Sequence, residues 1–256
     1  MTEIDLESNF RTRFKSKLVK GSRGYGFWSW KPQVVLQTLN KMKEGDVLLY
    51  CDVGCHLTDQ GLDRLDELFK KTASNESGIL GFELGKTVNS SFNMEHSNAF
   101  LERNWTKADV FQHFNLLNDV EFQTRNQTMA TIFFMRKCEG TVAMTTYFIE
   151  MIANNFDLIT DKESAIPNFH GFIEHRHDQS IFSLMFYKNR ADILPDVLVY
   201  PSLIDPPSSR KFPIEARRDL RCTFFRRKYR QICRQILKVT TSLRLRSQHS
   251  KDPGTP

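Results

Sequence analysis

One short, unbroken apolar run, Val47-Leu-Leu-Tyr-Cys, most constrains what this chain can fold into; Asp52-Val-Gly54 closes it and a helix-like segment precedes it. A continuous apolar pentad suits a central strand covered on both faces. Such a strand needs helices to cover it, so the run argues for α/β layering. It also leaves one acid, Asp52, at the carboxyl end of the strand, where ligands gather in open α/β sheets.

The rest of the chain alternates in the same way. Residues 5–20 predict an exposed helix, with Ile4, Leu6, Phe10, Phe14 and Leu18 along one face. Pro32 suits the first turn of a helix whose apolar stripe is Val34, Val35, Leu36, Leu39 and Met42, ended by Gly45. Asp59 to Lys71 predicts a helix burying Leu62, Leu65, Leu68 and Phe69, and Ile79 to Phe82 the next strand. Thr106 to Asp109 opens a short helix with a near-capping-box arrangement. Met129 to Met135 reads as a strand, Thr141 to Asn154 as an amphipathic helix, Ser180 to Phe186 as a helix, and Asp192 to Tyr200 as one or two short strands. Prolines at 195, 201, 206, 207 and 213 break up the stretch beyond that helix. The expected division is a domain over 1–205, a Pro-rich linker over 206–215, a basic amphipathic helix over 216–247 and a disordered end over 248–256.

Composition narrows the function classes. At 256 residues with 21 phenylalanines the chain can build one sizeable core. No stretch approaches the ~18 consecutive apolar residues of a membrane span, and Met1 to Glu7 is acidic, without the apolar region of a secretory signal. Five cysteines, at 51, 55, 138, 222 and 233, form no Cys-x-x-Cys pair, so a reduced, cytoplasmic setting is expected. The net charge of +6 is uneven: Arg217 to Arg246 holds eleven Lys or Arg against Asp219, a charge of +10, which leaves −4 on the remainder. Nucleic-acid binding would have to rest on that tail alone.

Four constellations have chemical potential. Gly24-Tyr-Gly-Phe-Trp-Ser-Trp-Lys-Pro32 offers glycine freedom and the flat faces of Trp28 and Trp30, which suit sugar rings or fill the core beneath a turn. Read as extended, the segment turns alternate residues opposite ways, so at least one tryptophan is expected in the core. Asp52 is a hard oxygen ligand for Mg²⁺ or Mn²⁺, or an acid capping a turn; the place two residues on is Gly54. Cys51 and Cys55 flank it as packing residues. His170 to Gln179 gathers three histidines, Glu174, Arg176 and Asp178, suited to metal ligation, acid–base work or anion clamping, or to a solvated helix start. In the tail Phe224, Phe225, Ile232, Ile236 and Leu237 interleave with arginines at helical spacing, the pattern of an interfacial helix on an anionic membrane. An RNA-binding arm and a helix packed on the domain are its alternatives.

Three motifs in order give a resemblance. Gly24 to Pro32, Gly45-Asp-Val-Leu-Leu-Tyr-Cys-Asp-Val-Gly-Cys55 and Glu174-His-Arg-His-Asp-Gln-Ser180 resemble a family of GT-A-type glycosyltransferases of bacterial and viral polysaccharide genes, over roughly residues 20–200. The resemblance implies a GT-A-like mixed sheet flanked by helices, to which the residues of the tail add the basic C-terminal helix. It implies a glycosyltransferase using a nucleotide-sugar donor and a glycan or lipid-linked acceptor; from its own residues the tail is expected to dock on an anionic membrane surface, and no nucleic acid partner is expected. Asp178 and Gln179 map onto a catalytic pair near the donor sugar and acceptor. Asp52, Gly54, Lys31, Arg23, Trp28 and Trp30 map onto the donor site, with Lys31 and Arg23 as cations near the diphosphate. A divalent cation, Mn²⁺ or Mg²⁺, would fall to Asp52, the first acid of an Asp-x-Asp motif whose second acid is here Gly54, with His177 as a further ligand. The family also places a β-α unit ahead of the aromatic motif, whereas one helix-like segment precedes Gly24 here. That leaves three readings: a shortened domain, a different mode of donor binding, or an inactive domain acting as a sugar-binding or membrane-docking module. A metal hydrolase built on the histidine run is a further rival, and needs three of its ligands to converge.

Overall fold

The computed structural model describes residues 5–59, 61–87, 99–196 and 213–216. The chain divides into two units, Met1–Asp52 with Asp66–Asp196, and Val53–Leu65 with Val197–Pro256.

The first unit is built on a four-stranded mixed sheet, β1 (Val47–Cys51), β3 (Ile79–Thr87), β4 (Ile132–Arg136) and β5 (Asp192–Asp196), in the order β1-β4-β3-β5. Both β1 and β3 run antiparallel to β4, whereas β3 and β5 are parallel. Helices cover the sheet: α1 (Ser8–Arg13), α2 (Gly24–Phe27), α3 (Trp30–Leu39), α5 (Glu102–Trp105), α6 (Ala108–His113), α7 (Val120–Thr124), α8 (Glu139–Asn154) and α9 (His177–Lys188), with α4 (Leu62–Ser74) spanning both units. Aromatic packing fills the core, with Phe133 against Tyr50, Phe182 and Phe186, and Phe148 against Phe182. The second unit contributes β2 (Cys55–Leu57), paired antiparallel with β6 (Ile214–Ala216).

Several expectations need correction. β1 is not a central strand: among the described residues it pairs with β4 alone, and Ile132 to Met135 of β4 hold the fully buried interior. A short apolar run carries no periodicity that separates edge from centre. The helix over 5–20 is regular only from Ser8 to Arg13; Leu6, Phe10 and Phe14 are buried as expected, with Phe10 stacked on Phe14 at 4.5 Å. Leu62 stands exposed, because α4 turns Leu68 and Thr72 inward. The arrangement at Thr106 caps nothing on α6: the Ala108 amide goes to Asn168 Oδ1, while the Thr106 hydroxyl donates to Glu102. The helix expected from Ser180 begins at His177. Ile214 to Ala216, given to the linker and the start of the basic helix, form β6. The tail from Arg217 onward lies outside the described residues.

Candidate functional site

The aromatic loop is not extended. Tyr25, Phe27 and Trp28 adopt left-handed backbone (φ 51°, 57° and 58°), which winds Gly24 to Phe27 into a tight turn. Two glycines make this feasible. A Cβ on Gly24 would meet the Trp28 indole at 2.4 Å, and one on Gly26 would meet the Lys17 carbonyl at 2.8 Å. The Trp30 indole N–H donates to Gly24 O at 3.0 Å and the ring packs against the core. Trp28 lies over Gly24, with its ring centroid 5.4 Å from that of His177. Neither Trp28 nor Trp30 lies in the buried core, against the expectation of one core tryptophan: Trp30 is half-buried and packs against the core, because the segment is a turn and not an extended strand.

The turn delivers Lys31 into α3, pointing inward. Its ammonium is buried, 3% exposed, and reaches the end of β1, where the Asp52 amide continues the ladder to Thr131 O. Lys31 Nζ lies 2.5 Å from Asp178 Oδ2, 3.3 Å from Asp52 Oδ1 and 3.2 Å from Ala130 O. An ammonium has three donors, and three acceptors take them. Tyr50, two residues before Asp52 and so on the same face of the strand, donates its hydroxyl to Asp52 Oδ1 at 3.0 Å. Its ring also faces Lys31 Nζ at 5.3 Å.

Burial and charge set the protonation of this cluster. Burial opposes the Lys31 ammonium, but Asp178 and Asp52 outweigh it and hold its pKa above the ordinary lysine value. Burial pushes the Asp178 carboxyl up, against the pull of Lys31. Burial, then the Asp52 carboxylate, pushes the Tyr50 phenol up, so it remains a donor. Asp178 is 8% exposed at its side chain and Asp52 37%, so the cluster opens to solvent on the Asp52 side.

The other candidate residues surround this cluster or stand apart from it. Arg23 is half-exposed and paired with Asp161 at 2.8 Å and Glu174 at 3.9 Å. Gly54 sits in the turn between β1 and β2. His177 opens α9 with φ 49°; its Nδ1 meets Ile159 O at 2.8 Å, and its Nε2 lies 3.4 Å from Asp161 Oδ1 without hydrogen-bond alignment. Burial lowers the pKa of His177, and lowers that of His175 well below the ordinary value. His170 is exposed, and among the described residues no three His, Cys, Asp or Glu groups converge as metal ligands. The hydrolase reading loses the convergence it needs. Gln179, beside Asp178, donates its amide to Gln127 Oε1 at 2.8 Å.

Two structural supports carried no sequence signal. Lys107, fully buried, donates its ammonium to the carbonyls of Asp157, Thr160 and Lys162, and so holds the loop that carries Asp161. Glu102, fully buried, takes Ser183, Thr106 and Gln127 as donors.

The sequence matches no protein-family model and no curated protein. Among solved structures, that of mouse xyloside xylosyltransferase 1 in its apo form aligns with 82% of this chain and 70% of that one, at 9% identity and a TM-score of 0.41. A likeness at that level carries neither fold nor activity across. The functional reading rests on this chain's own residues.

Proposed function

We propose that this protein is a glycosyltransferase that moves a sugar from a nucleotide-sugar donor to a glycan or lipid-linked acceptor. One observation carries the reading: the three motifs behind the family resemblance, distant in sequence, each send one residue to a single point. Lys31 comes from the first, Asp52 from the second and Asp178 from the third. A purely structural ion pair has no need to join those three segments.

Transfer breaks the bond from the anomeric carbon to the diphosphate and forms one to the acceptor oxygen, which gives up its proton. Asp178 suits a general base that takes this proton, or a carboxylate facing the positive charge that develops on the sugar. Its burial raises its basicity, and Lys31 fixes its orientation. Tyr50 and Lys31 hold Asp52 toward solvent, where a donor would enter. The Lys31 ammonium stands between the two carboxylates, where a cation would otherwise sit. A divalent cation arriving with the donor diphosphate would find one protein carboxylate, Asp52, and no second acid at Gly54.

The test is thermal stabilisation by a panel of UDP-, GDP-, dTDP- and CMP-sugars, each with and without Mn²⁺. A ligand at about 100 times its Kd adds about 2.7 kcal/mol of stability. At least one nucleotide sugar should raise the Tm of the wild type and not that of Asp52→Asn. No stabilisation by any member refutes the reading. Membrane attachment through the tail has a separate test: sedimentation with anionic vesicles should fall with salt and disappear when the chain is cut before Arg217. Equal sedimentation of the shortened chain removes the tail as anchor.

A further inference from the structure

Between Ser8 and Arg23 the chain carries six cations, Arg11, Arg13, Lys15, Lys17, Lys20 and Arg23, and no acid, although its net charge outside the tail is −4. All six are exposed. The local fold explains why. Helical hydrogen bonding runs on past α1, from the Phe14 amide to Phe10 O and from the Leu18 amide to Phe14 O, and Phe10 and Phe14 are buried in the core. The cations take the surface that remains. Three of them are engaged: Arg13 donates to Glu150 at 2.8 Å, Lys17 Nζ lies 5.0 Å from the centre of the Phe156 ring, and Arg23 pairs with Asp161. Arg11, Lys15 and Lys20 have no ion-pair partner among the described residues. Arg11 and Lys15 lie one turn apart. Lys20 stands in the loop that follows, beside Gly21, where an added Cβ would meet nothing within 4 Å.

This surface is fastened to the element that builds the site. The Ser22 hydroxyl donates to Val19 O at 2.6 Å and accepts from the Gly26 amide at 2.9 Å, which ties the basic loop to the aromatic turn. The same turn delivers Lys31. We propose that Arg11, Lys15 and Lys20 bind an acidic glycan, and that the acceptor of the transfer is a sugar chain bearing carboxylates. Three unpaired cations spread along a surface, rather than converging on a point, suit a polymer with repeated charges and not a single phosphate. A membrane would also draw on apolar side chains, but Phe10 and Phe14 are committed to the core and Val19 is left, 52% exposed. A nucleic acid would gain from exposed aromatic rings to stack on, and this stretch has none. The role as acceptor rests on the glycosyltransferase reading, whereas the binding of a polyanionic sugar chain stands on the surface alone.

The test uses the full chain with polygalacturonate, with dextran as an uncharged polymer and phosphatidylcholine–phosphatidylserine vesicles as an anionic surface. Lysine acetylation read by mass spectrometry locates the contact. Polygalacturonate should protect Lys15, Lys17 and Lys20, and dextran should not. Unprotected Lys15 and Lys20, with or without protection of Lys228 and Lys238 in the tail, overturn the proposal. Equal protection by dextran overturns it as well, and protection by vesicles but not by polygalacturonate gives the surface to a membrane instead. In the variant with Arg11→Gln, Lys15→Gln and Lys20→Gln, the polygalacturonate concentration that half-protects Lys17 should rise about tenfold at low salt. An unchanged concentration overturns the proposal; should the variant fail to fold, the protection pattern of the wild type decides. The variant should keep the stabilisation by nucleotide sugar seen in the wild type. If no nucleotide sugar stabilises the wild type while Lys15 and Lys20 are protected, the proposed function falls and a glycan-binding surface stands. Stabilisation without protection removes the acidic acceptor and leaves the proposed function in place.

Discussion

At Asp178, in the first turn of α9, a buried carboxylate faces an ammonium; at Glu102, held against α9 by Ser183, a buried carboxyl is met by hydroxyls and an amide. The first cluster contains its own counter-charge, which keeps Lys31 cationic and sets Asp178 between burial and attraction. In the second, burial outweighs the donors, and the Glu102 pKa rises to about 7. A charge kept at the rim of a site can act on a ligand. A carboxyl that titrates near neutrality beneath it organises neighbours instead. The two clusters show how the environment of a buried carboxyl depends on whether a cation is buried with it.

The sharpest way to break this contrast is to remove the cation. Lys31→Met leaves two carboxylates facing each other without compensation, and should cost about 3–5 kcal/mol of stability in urea denaturation at neutral pH. A loss under 1 kcal/mol would mean the cluster is solvated rather than buried.

Glu102 carries the next effect, through pH. The folded state holds the Glu102 proton more tightly than the unfolded state, with a pKa of about 7 against 4.5. Its contribution is therefore fully present below about pH 4.5 and is lost as pH rises through about 7, a change of about 3 kcal/mol. Urea midpoints across pH 5 to 8 should fall in the wild type and flatten in Glu102→Gln. Identical slopes in the two proteins would show that Glu102 does not titrate in that window.

Asp178→Asn should lower turnover about a hundredfold, about 2.7 kcal/mol in the barrier, while Lys31 keeps Asp52 and Ala130 O as partners and the fold survives. Single-turnover kinetics with the nucleotide sugar that stabilises the wild type decides this; near-normal turnover removes Asp178 from the chemistry.

The smallest contrast lies in the aromatic turn. Trp30→Ala should cost about 3 kcal/mol, the low end for a tryptophan because the ring is half-buried, as it loses packing against the core and the bond to Gly24 O. Trp28→Ala should cost less than half of that and act on ligand affinity instead. Thermal melts of both variants, with and without nucleotide sugar, check the order.

Much of the fold and part of the site are legible in the sequence. The alternation of apolar runs and helical stripes gives α/β layering, and Asp52, Asp178 and Lys31 stand out by residue type and placement. That they meet is tertiary information, since no spacing in the sequence relates residue 31 to residue 178. Tyr50 was within reach, because a residue two before Asp52 on a strand shares its face. Glu102 and Gln127 were not: a single acid opening a four-residue helix and a glutamine in a stretch without period look like surface residues. The left-handed aromatics were equally hidden, since bulky side chains are the ones expected to avoid positive φ.

The Lys31–Asp178 pair has a consequence for how the protein comes into being. It joins α3 to α9, two elements separated by most of the sheet and its covering helices along the chain. Contacts between residues so distant along the chain form late, once the entropy of closing the intervening loop has been met. A chain halted partway through synthesis holds Lys31 and Asp52 without Asp178, an ammonium and one carboxylate at a surface open to water. The buried cluster of one ammonium and two carboxyls would then be completed with the last steps of folding, and a partly folded chain would carry the three motifs without their meeting point.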